Sequence, residues 1–135
     1  MKYVETCLMF IGEQAGKAEE AISLYTMLFA NSAIVDLDRY GPGEHEPEGS
    51  IRVGRFTLGG VGYRAMDSHL DHKFAFTPAF SVFVECESLE ELETAYATLS
   101  DGGKELMPLG DYGFSTKFGW TEDRYGVSWQ LNYSE

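Results

Sequence analysis

The segment GVSWQLNYSE closes the chain, with Ser128, Gln130 and Asn132 on alternate positions and Val127, Trp129, Leu131 and Tyr133 between them. A period of two places the hydroxyl and the two amides on one face of a strand and the apolar residues on the other. Such a polar row has two readings. It can face water on an edge strand, or it can line a pocket and hold a neutral molecule by hydrogen bonds. In a pocket, residue 130 decides the chemistry, because a neutral amide oxygen is a much weaker metal ligand than a carboxylate.

Other residues with reactive or ligating side chains point to plainer roles. DSHLDHK packs Asp67, His69, Asp71 and His72 together. Two imidazoles in a loop need further ligands to hold a metal, so this stretch reads as a polar bridge with surface histidines. His45 in GEHEPEG lies among acids in a Pro- and Gly-rich loop, suited to adventitious metal binding rather than catalysis. Cys7 and Cys86 each sit in an apolar run and read as small buried hydrophobes. Arg39 and Arg64 can fix a carboxylate or phosphate with a bidentate guanidinium, or pair with a surface acid; the surplus of acids favours pairing. Trp120 and Trp129 read as core. The glycines of LGGVGY lie between two strands and are turn residues. No Gly-x-Ser-x-Gly elbow and no phosphate-binding loop is present.

Positioning these groups requires a folded scaffold, and the composition supplies one. The chain has 135 residues, 44% hydrophobic and 14% aromatic, enough for one domain with its own core. Its 22 acids against 10 bases give a formal charge of −12. That sign disfavours nucleic acid and anionic membranes as partners. The N-terminal MKYVETCLMF lacks the long apolar run of a leader or a membrane span. A soluble, cytoplasmic protein is the expectation.

The pattern of elements repeats. YVETCLMFIG reads as a strand, and residues 17–29 as a helix with Ala18, Ala21, Ile22, Tyr25 and Phe29 on one face. AIVDLDRYG, SIRVGRFTLGG and VGYRAMDS follow as strands, the first alternating Ile34, Asp36 and Asp38 against Val35, Leu37 and Arg39. After an irregular bridge at 69–78, AFSVFVEC is a strand and SLEELETAYATLSDGG a helix. In that helix Ser88 and Glu91 form a capping box, with Leu89, Leu92, Tyr96 and Leu99 on one face. KELMPLG, FSTKFGWTE and VSWQLNY complete the set. The expected fold is α+β: two β-α-β-β-β modules, at about 1–68 and 79–135, in one domain with an open curved mixed sheet.

A doubled β-α-β-β-β unit resembles the vicinal oxygen chelate superfamily, which includes glyoxalase I, the bleomycin-resistance proteins and the extradiol dioxygenases. The stretches CLMFIG, KAEEAISLYTMLFANSAIVDLDRYGPGEHEPEGS, FTPAFSVFVECES and LSDGGKELMPLGDYGFSTKFGWTEDRYGVSWQL look like its PhnB-like branch, labelled 3-demethylubiquinone-9 3-methyltransferase-like. The likeness spans nearly the whole chain. IGEQAGKAEE departs from it by a longer first strand-to-helix connection. The resemblance implies an open cleft in each curled sheet and a homodimer, with Phe74 and Phe76 covered by the partner copy.

Superfamily enzymes hold a divalent metal with His, Gln or Glu side chains from the first and last strands of each half. On that pattern the expected His falls at Ala79 and the expected Glu at Gln130. The strand-one place falls near Glu5 or Thr6, and the strand-four place near Arg64, Ala65 and Met66. At least two of the four places have lost their ligand, which argues against an inherited metal and leaves Glu5 and Gln130 as remnants. The resemblance instead implies a ligand-binding cleft lined by Arg64, Ser81, Phe83, Ser128, Gln130 and Asn132. The first expectation is therefore a metal-independent protein that binds a small organic molecule and needs no cofactor. The second is a divalent-metal lyase, isomerase or dioxygenase. Methyl transfer is disfavoured, because the chain lacks the Gly-rich strand-to-helix turn of a doubly wound sheet.

Overall fold

Apolar periodicity switches between two and 3.6 along the chain, and the elements follow it. The computed structural model describes residues 1–135 and is α+β, with two β-α-β-β-β modules. In module one, β1 (Thr6–Phe10) leads through a 3-10 turn (Gly12–Gln14) into α1 (Ala18–Leu28), then β2 (Ala33–Arg39), β3 (Ile51–Leu58) and β4 (Val61–Asp67). In module two, β5 (Ser81–Glu85) leads into α2 (Leu89–Ser100), then β6 (Lys104–Gly110), β7 (Lys117–Glu122) and β8 (Ser128–Tyr133). Each module keeps its own four-stranded sheet, in the orders β1-β4-β3-β2 and β5-β8-β7-β6. The first strand of each pairs in parallel with the last, and the other pairings are antiparallel. Residues 1–73 and 74–135 form two compact units.

Helix α1 buries Ala18, Ala21, Ile22 and Tyr25 completely. Its N-terminus has no local side-chain cap. Asp67, at the end of β4, supplies one from across the module. Its Oδ1 accepts the backbone N–H groups of Gly16 at 2.9 Å and Ala18 at 3.0 Å, while Oδ2 accepts that of Ile51 at 2.8 Å. A carboxylate only 1% exposed is thus satisfied by three backbone donors, and the positive end of the helix dipole favours its charge. Helix α2 is capped locally: Ser88 Oγ accepts from Glu91 N at 3.1 Å. The reciprocal bond is displaced by one residue, since Glu91 Oε1 accepts from Glu87 N at 2.8 Å. Leu92, Ala95, Tyr96 and Leu99 form its buried face, while Leu89, expected on that face, is exposed in the first turn.

Each helix presses on a glycine of its sheet. A Cβ on Gly54 in β3 would lie 2.7 Å from Ile22 Cδ1. One on Gly119 in β7 would lie 2.6 Å from Tyr96 Cε2 and 2.7 Å from Leu109 Cδ2. These are the same strand of the two modules, and they fix which sheet face carries the helix. Cross-strand partners share a face, so Leu8 and Ala65 lie with Gly54 under α1, and Leu131 lies with Gly119 under α2.

Three expectations are corrected. Cys7 is exposed rather than buried, because it falls on the helix-free face of β1. The simple alternation of β2 is broken by a register shift between Ile34 and Asp36, and Val35 and Ile34 are both exposed on this edge strand. Strand β5 starts at Ser81, which leaves Ala79 outside the sheet. No helix is long and apolar enough to cross a membrane.

Gly119→Ala forces Tyr96 or Leu109 to move. The expected loss is about 1–3 kcal/mol, the usual cost of overpacking a tight contact. It is read as a lower urea midpoint with an unchanged slope; an unaltered midpoint would mean the helix-to-sheet spacing yields freely.

Candidate functional site

The helix-free face of module two gathers the polar residues singled out in the sequence. Parallel pairing sets Ser81 beside Ser128, Phe83 beside Gln130 and Glu85 beside Asn132. Antiparallel pairing adds Glu122 beside Ser128, Trp120 beside Gln130 and Phe118 beside Asn132. Three rows result across β5, β8 and β7: Ser81–Ser128–Glu122, Phe83–Gln130–Trp120 and Glu85–Asn132–Phe118. The middle row sets an amide between two aromatic rings.

Hydrogen bonds tie the first two rows together. Trp120 Nε1–H donates to Ser128 Oγ at 2.8 Å. Ser128 Oγ and Ser81 Oγ are 2.6 Å apart, and Gln130 Nε2 donates to Ser81 Oγ at 3.3 Å. Ser128 is 1% exposed, whereas Phe83 is 56% exposed. In the third row Asn132 Nδ2 donates to Glu85 Oε1 at 2.9 Å, while its buried Oδ1 has no partner. The carboxylate explains the orientation of this amide, since the opposite one would set oxygen against oxygen. The turn before β8 is held by Asp123. Its Oδ1 accepts from Tyr125 N and Val127 N at 2.9 and 3.0 Å, and its Oδ2 from Trp129 Nε1 at 2.9 Å.

Five of the six expected cleft residues therefore share one face of module two. The sixth, Arg64, belongs to module one, on its helix-free face in a row with Cys7 and Arg55. Its Nε donates to Glu5 Oε1 at 2.6 Å and its Nη2 to Tyr3 Oη at 2.8 Å, so an acid does engage it. Arg39 pairs with Glu19 at 2.7 Å. Of the tryptophans, Trp129 is fully buried core, while Trp120 is half-buried and bonded into the polar rows. Trp120, Glu122, Phe118 and Glu85 were not among the expected site residues; the alternation within β7 was the available signal, but the register that brings it beside β8 is not local.

The thiols differ in setting. Burial, then the charges of Glu91 and Glu85, push Cys86 up to about 12. Partial desolvation raises Cys7 as well; Arg64 pulls it down, Glu5 adds to the rise, and the net shift is upward.

The places that the superfamily pattern assigns to a metal do not suit a divalent ion. The Glu5 carboxylate is engaged by Arg64, Ala79 has no donor, and the Gln130 amide nitrogen is turned to Ser81. No three His, Cys, Asp or Glu side chains converge, where a divalent ion of this kind takes at least three or four protein ligands. The DSHLDHK side chains are turned to separate partners. Asp67 holds backbone groups, His69 Nδ1 meets Glu46 Oε1 at 2.7 Å, His72 Nε2 meets Ser68 Oγ at 2.9 Å, and Lys73 meets Asp71 at 3.1 Å.

Paired β-α-β-β-β modules, each with a helix on one sheet face and an open opposite face, define the fold of the glyoxalase/bleomycin-resistance/dioxygenase proteins of the vicinal oxygen chelate superfamily. The chain belongs to the family described as 3-demethylubiquinone-9 3-methyltransferase, whose model matches residues 2–132. It is similar to the PhnB protein from Bacillus cereus, with 47% identity, a TM-score of 0.92 and coverage of 98% of this chain and 100% of that one. It also resembles protein PA1353 from Pseudomonas aeruginosa, at 25% identity and a TM-score of 0.79, with 98% of each chain covered. A glyoxalase/bleomycin resistance protein/dioxygenase from Nocardioides shares the fold at 19% identity and a TM-score of 0.54, over 99% of this chain and 85% of that one. No curated protein matches the chain. The methyltransferase description is a family name and carries no established activity.

A raised thiol pKa means less thiolate at any given pH. Iodoacetamide at pH 8 is therefore expected to add one label to the native protein, at Cys7, more slowly than to a free thiol. Cys86 should react only in denaturant. Labelling of Cys7 faster than a free thiol would show that Arg64 outweighs desolvation and Glu5.

Proposed function

We propose that this protein binds a small organic molecule on the helix-free face of module two, through hydrogen bonds and aromatic contact and without a metal. The observation that carries this reading is the row Phe83–Gln130–Trp120. It is an amide with a free oxygen, flanked by two rings, one of them largely exposed. Binding sites for small molecules combine apolar walls with a few fixed polar groups. Ser81, Ser128 and Gln130 supply the fixed groups here, and Phe83 and Trp120 the walls.

The reading extends to assembly and location as proposals. The chain pairs with a second copy in the cytoplasm, a role that fits its exposed Val4, Val35, Phe74 and Phe114. Methyl transfer from S-adenosylmethionine gains no support: Gly59 and Gly60 form the turn of the β3–β4 hairpin, far in kind from a strand-to-helix nucleotide loop.

Elemental analysis of protein purified without an affinity tag tests the metal-free part. The expected result is no stoichiometric divalent metal after dialysis. One tightly held metal per chain would favour a metal-dependent lyase, isomerase or dioxygenase instead. A metabolite screen by thermal shift tests the binding part. A hit should raise Tm for the wild type and lose most of its effect with Gln130→Ala.

A further inference from the structure

The direction of the hydrogen-bond chain in module two determines what it leaves unused. Indole Nε1–H only donates, so Trp120 occupies one lone pair of Ser128 Oγ. Ser128 is almost fully buried, and its own proton needs an acceptor. The oxygen within reach is Ser81 Oγ, at 2.6 Å. Ser128 therefore donates to Ser81. Ser81 Oγ also accepts from Gln130 Nε2, which fills both of its lone pairs. Its hydroxyl proton is left over; on Gln130 one Nε2 proton is committed to Ser81, while Oε1 and the second Nε2 proton are left to a ligand.

A donor and an acceptor are thus presented side by side, with Phe83 and Trp120 in register on either side of Gln130. The geometry points to a specific class of ligand: a planar ring carrying an adjacent carbonyl and N–H, as in a lactam, a cyclic imide or a pyrimidinone. The carbonyl takes the Ser81 proton, the N–H meets Gln130 Oε1, and the ring lies against the aromatic walls. A carboxylate satisfies Ser81 but opposes the Gln130 oxygen, and Glu85 and Glu122 in the flanking rows repel it. An amine satisfies Gln130 and leaves the hydroxyl proton without an acceptor. This inference rests on the small-molecule reading above and deepens it.

The test compares quinolin-2(1H)-one, which has both groups on a flat bicycle, with its N-methyl analogue, which lacks the donor. Binding is followed by two-dimensional 15N NMR through the Trp120 indole N–H and the Gln130 amide. The lactam is expected to bind about tenfold more tightly than the N-methyl compound, the usual scale for one hydrogen bond to a site group otherwise left unpaired. It should shift both reporter signals. In Gln130→Met the preference should fall to about one; retention of the native spectrum elsewhere shows that this variant is folded. Equal binding of the two compounds, with the reporters shifted, overturns the donor–acceptor pairing and leaves the small-molecule site standing. A preference for the N-methyl compound overturns it too, since the Gln130 amide then presents its N–H groups. A lactam preference that survives Gln130→Met places binding elsewhere. Silence from both compounds at millimolar concentration overturns the pairing, and the metabolite screen then decides the broader reading alone.

Discussion

Parallel pairing of the first and last strands is the constraint on which each module depends. Parallel neighbours cannot be joined by a tight turn and need a long crossover. In module two the crossover comprises α2, β6 and β7, and it returns the chain so that β8 lies between β5 and β7. Residues 47 positions apart in sequence, such as Ser81 and Ser128, become side-by-side neighbours. A slip of one residue in this register would turn Gln130 and Asn132 toward α2 and bring Trp129 and Leu131 to the open face. The burial of Trp129 and Leu131 under the helix is thus what holds the polar rows in place.

Two buried carboxylates and two glycines support that arrangement. Asp67 caps α1 from the end of β4, and Asp123 organises the turn into β8 and fixes the Trp129 indole. Both are acceptor-only groups that gather three N–H donors each, a strong form of hydrogen bonding when the acceptor is charged. Gly54 and Gly119 let the two helices approach equivalent strands. The modules repeat as a packing solution rather than as a sequence. The same strand needs a glycine in both, while the carboxylate anchors stand at different places and do different work.

The helix-free faces of the two modules have separate chemistry. In module one the row Cys7–Arg64–Arg55 is charged, and acids engage both arginines: Glu5 at 2.6 Å and Asp36 at 3.3 Å. In module two the middle row is neutral and aromatic. The Gln130 amide is a group that both donates and accepts. One of its N–H groups is committed to Ser81, which leaves the oxygen as an acceptor.

Much of the fold was legible locally. The two faces of β8, the apolar stripe of α1, and the Ser88–Glu91 cap of α2 need only short-range physics, and each is found where the residue pattern puts it. Other features were out of reach. Asp67 reads in sequence as part of a polar bridge, yet it caps a helix whose first residue lies 49 positions away. Cys7 sits in an apolar run, but the side of β1 it occupies depends on where α1 packs. Leu89 has the right spacing for the buried face and still ends exposed in the first turn.

The sequence by itself determined the elements, their order, and the presence of hydroxyl and amide groups on one face of the final strand. Those follow from side-chain period, capping and composition, which act over a few residues. Tertiary structure alone decided that Trp120 donates to Ser128, that Ser128 meets Ser81, and that Gln130 lies between Phe83 and Trp120. These contacts depend on strand register and on which face the helix covers, and both are set by burial of the whole core rather than by any segment of it.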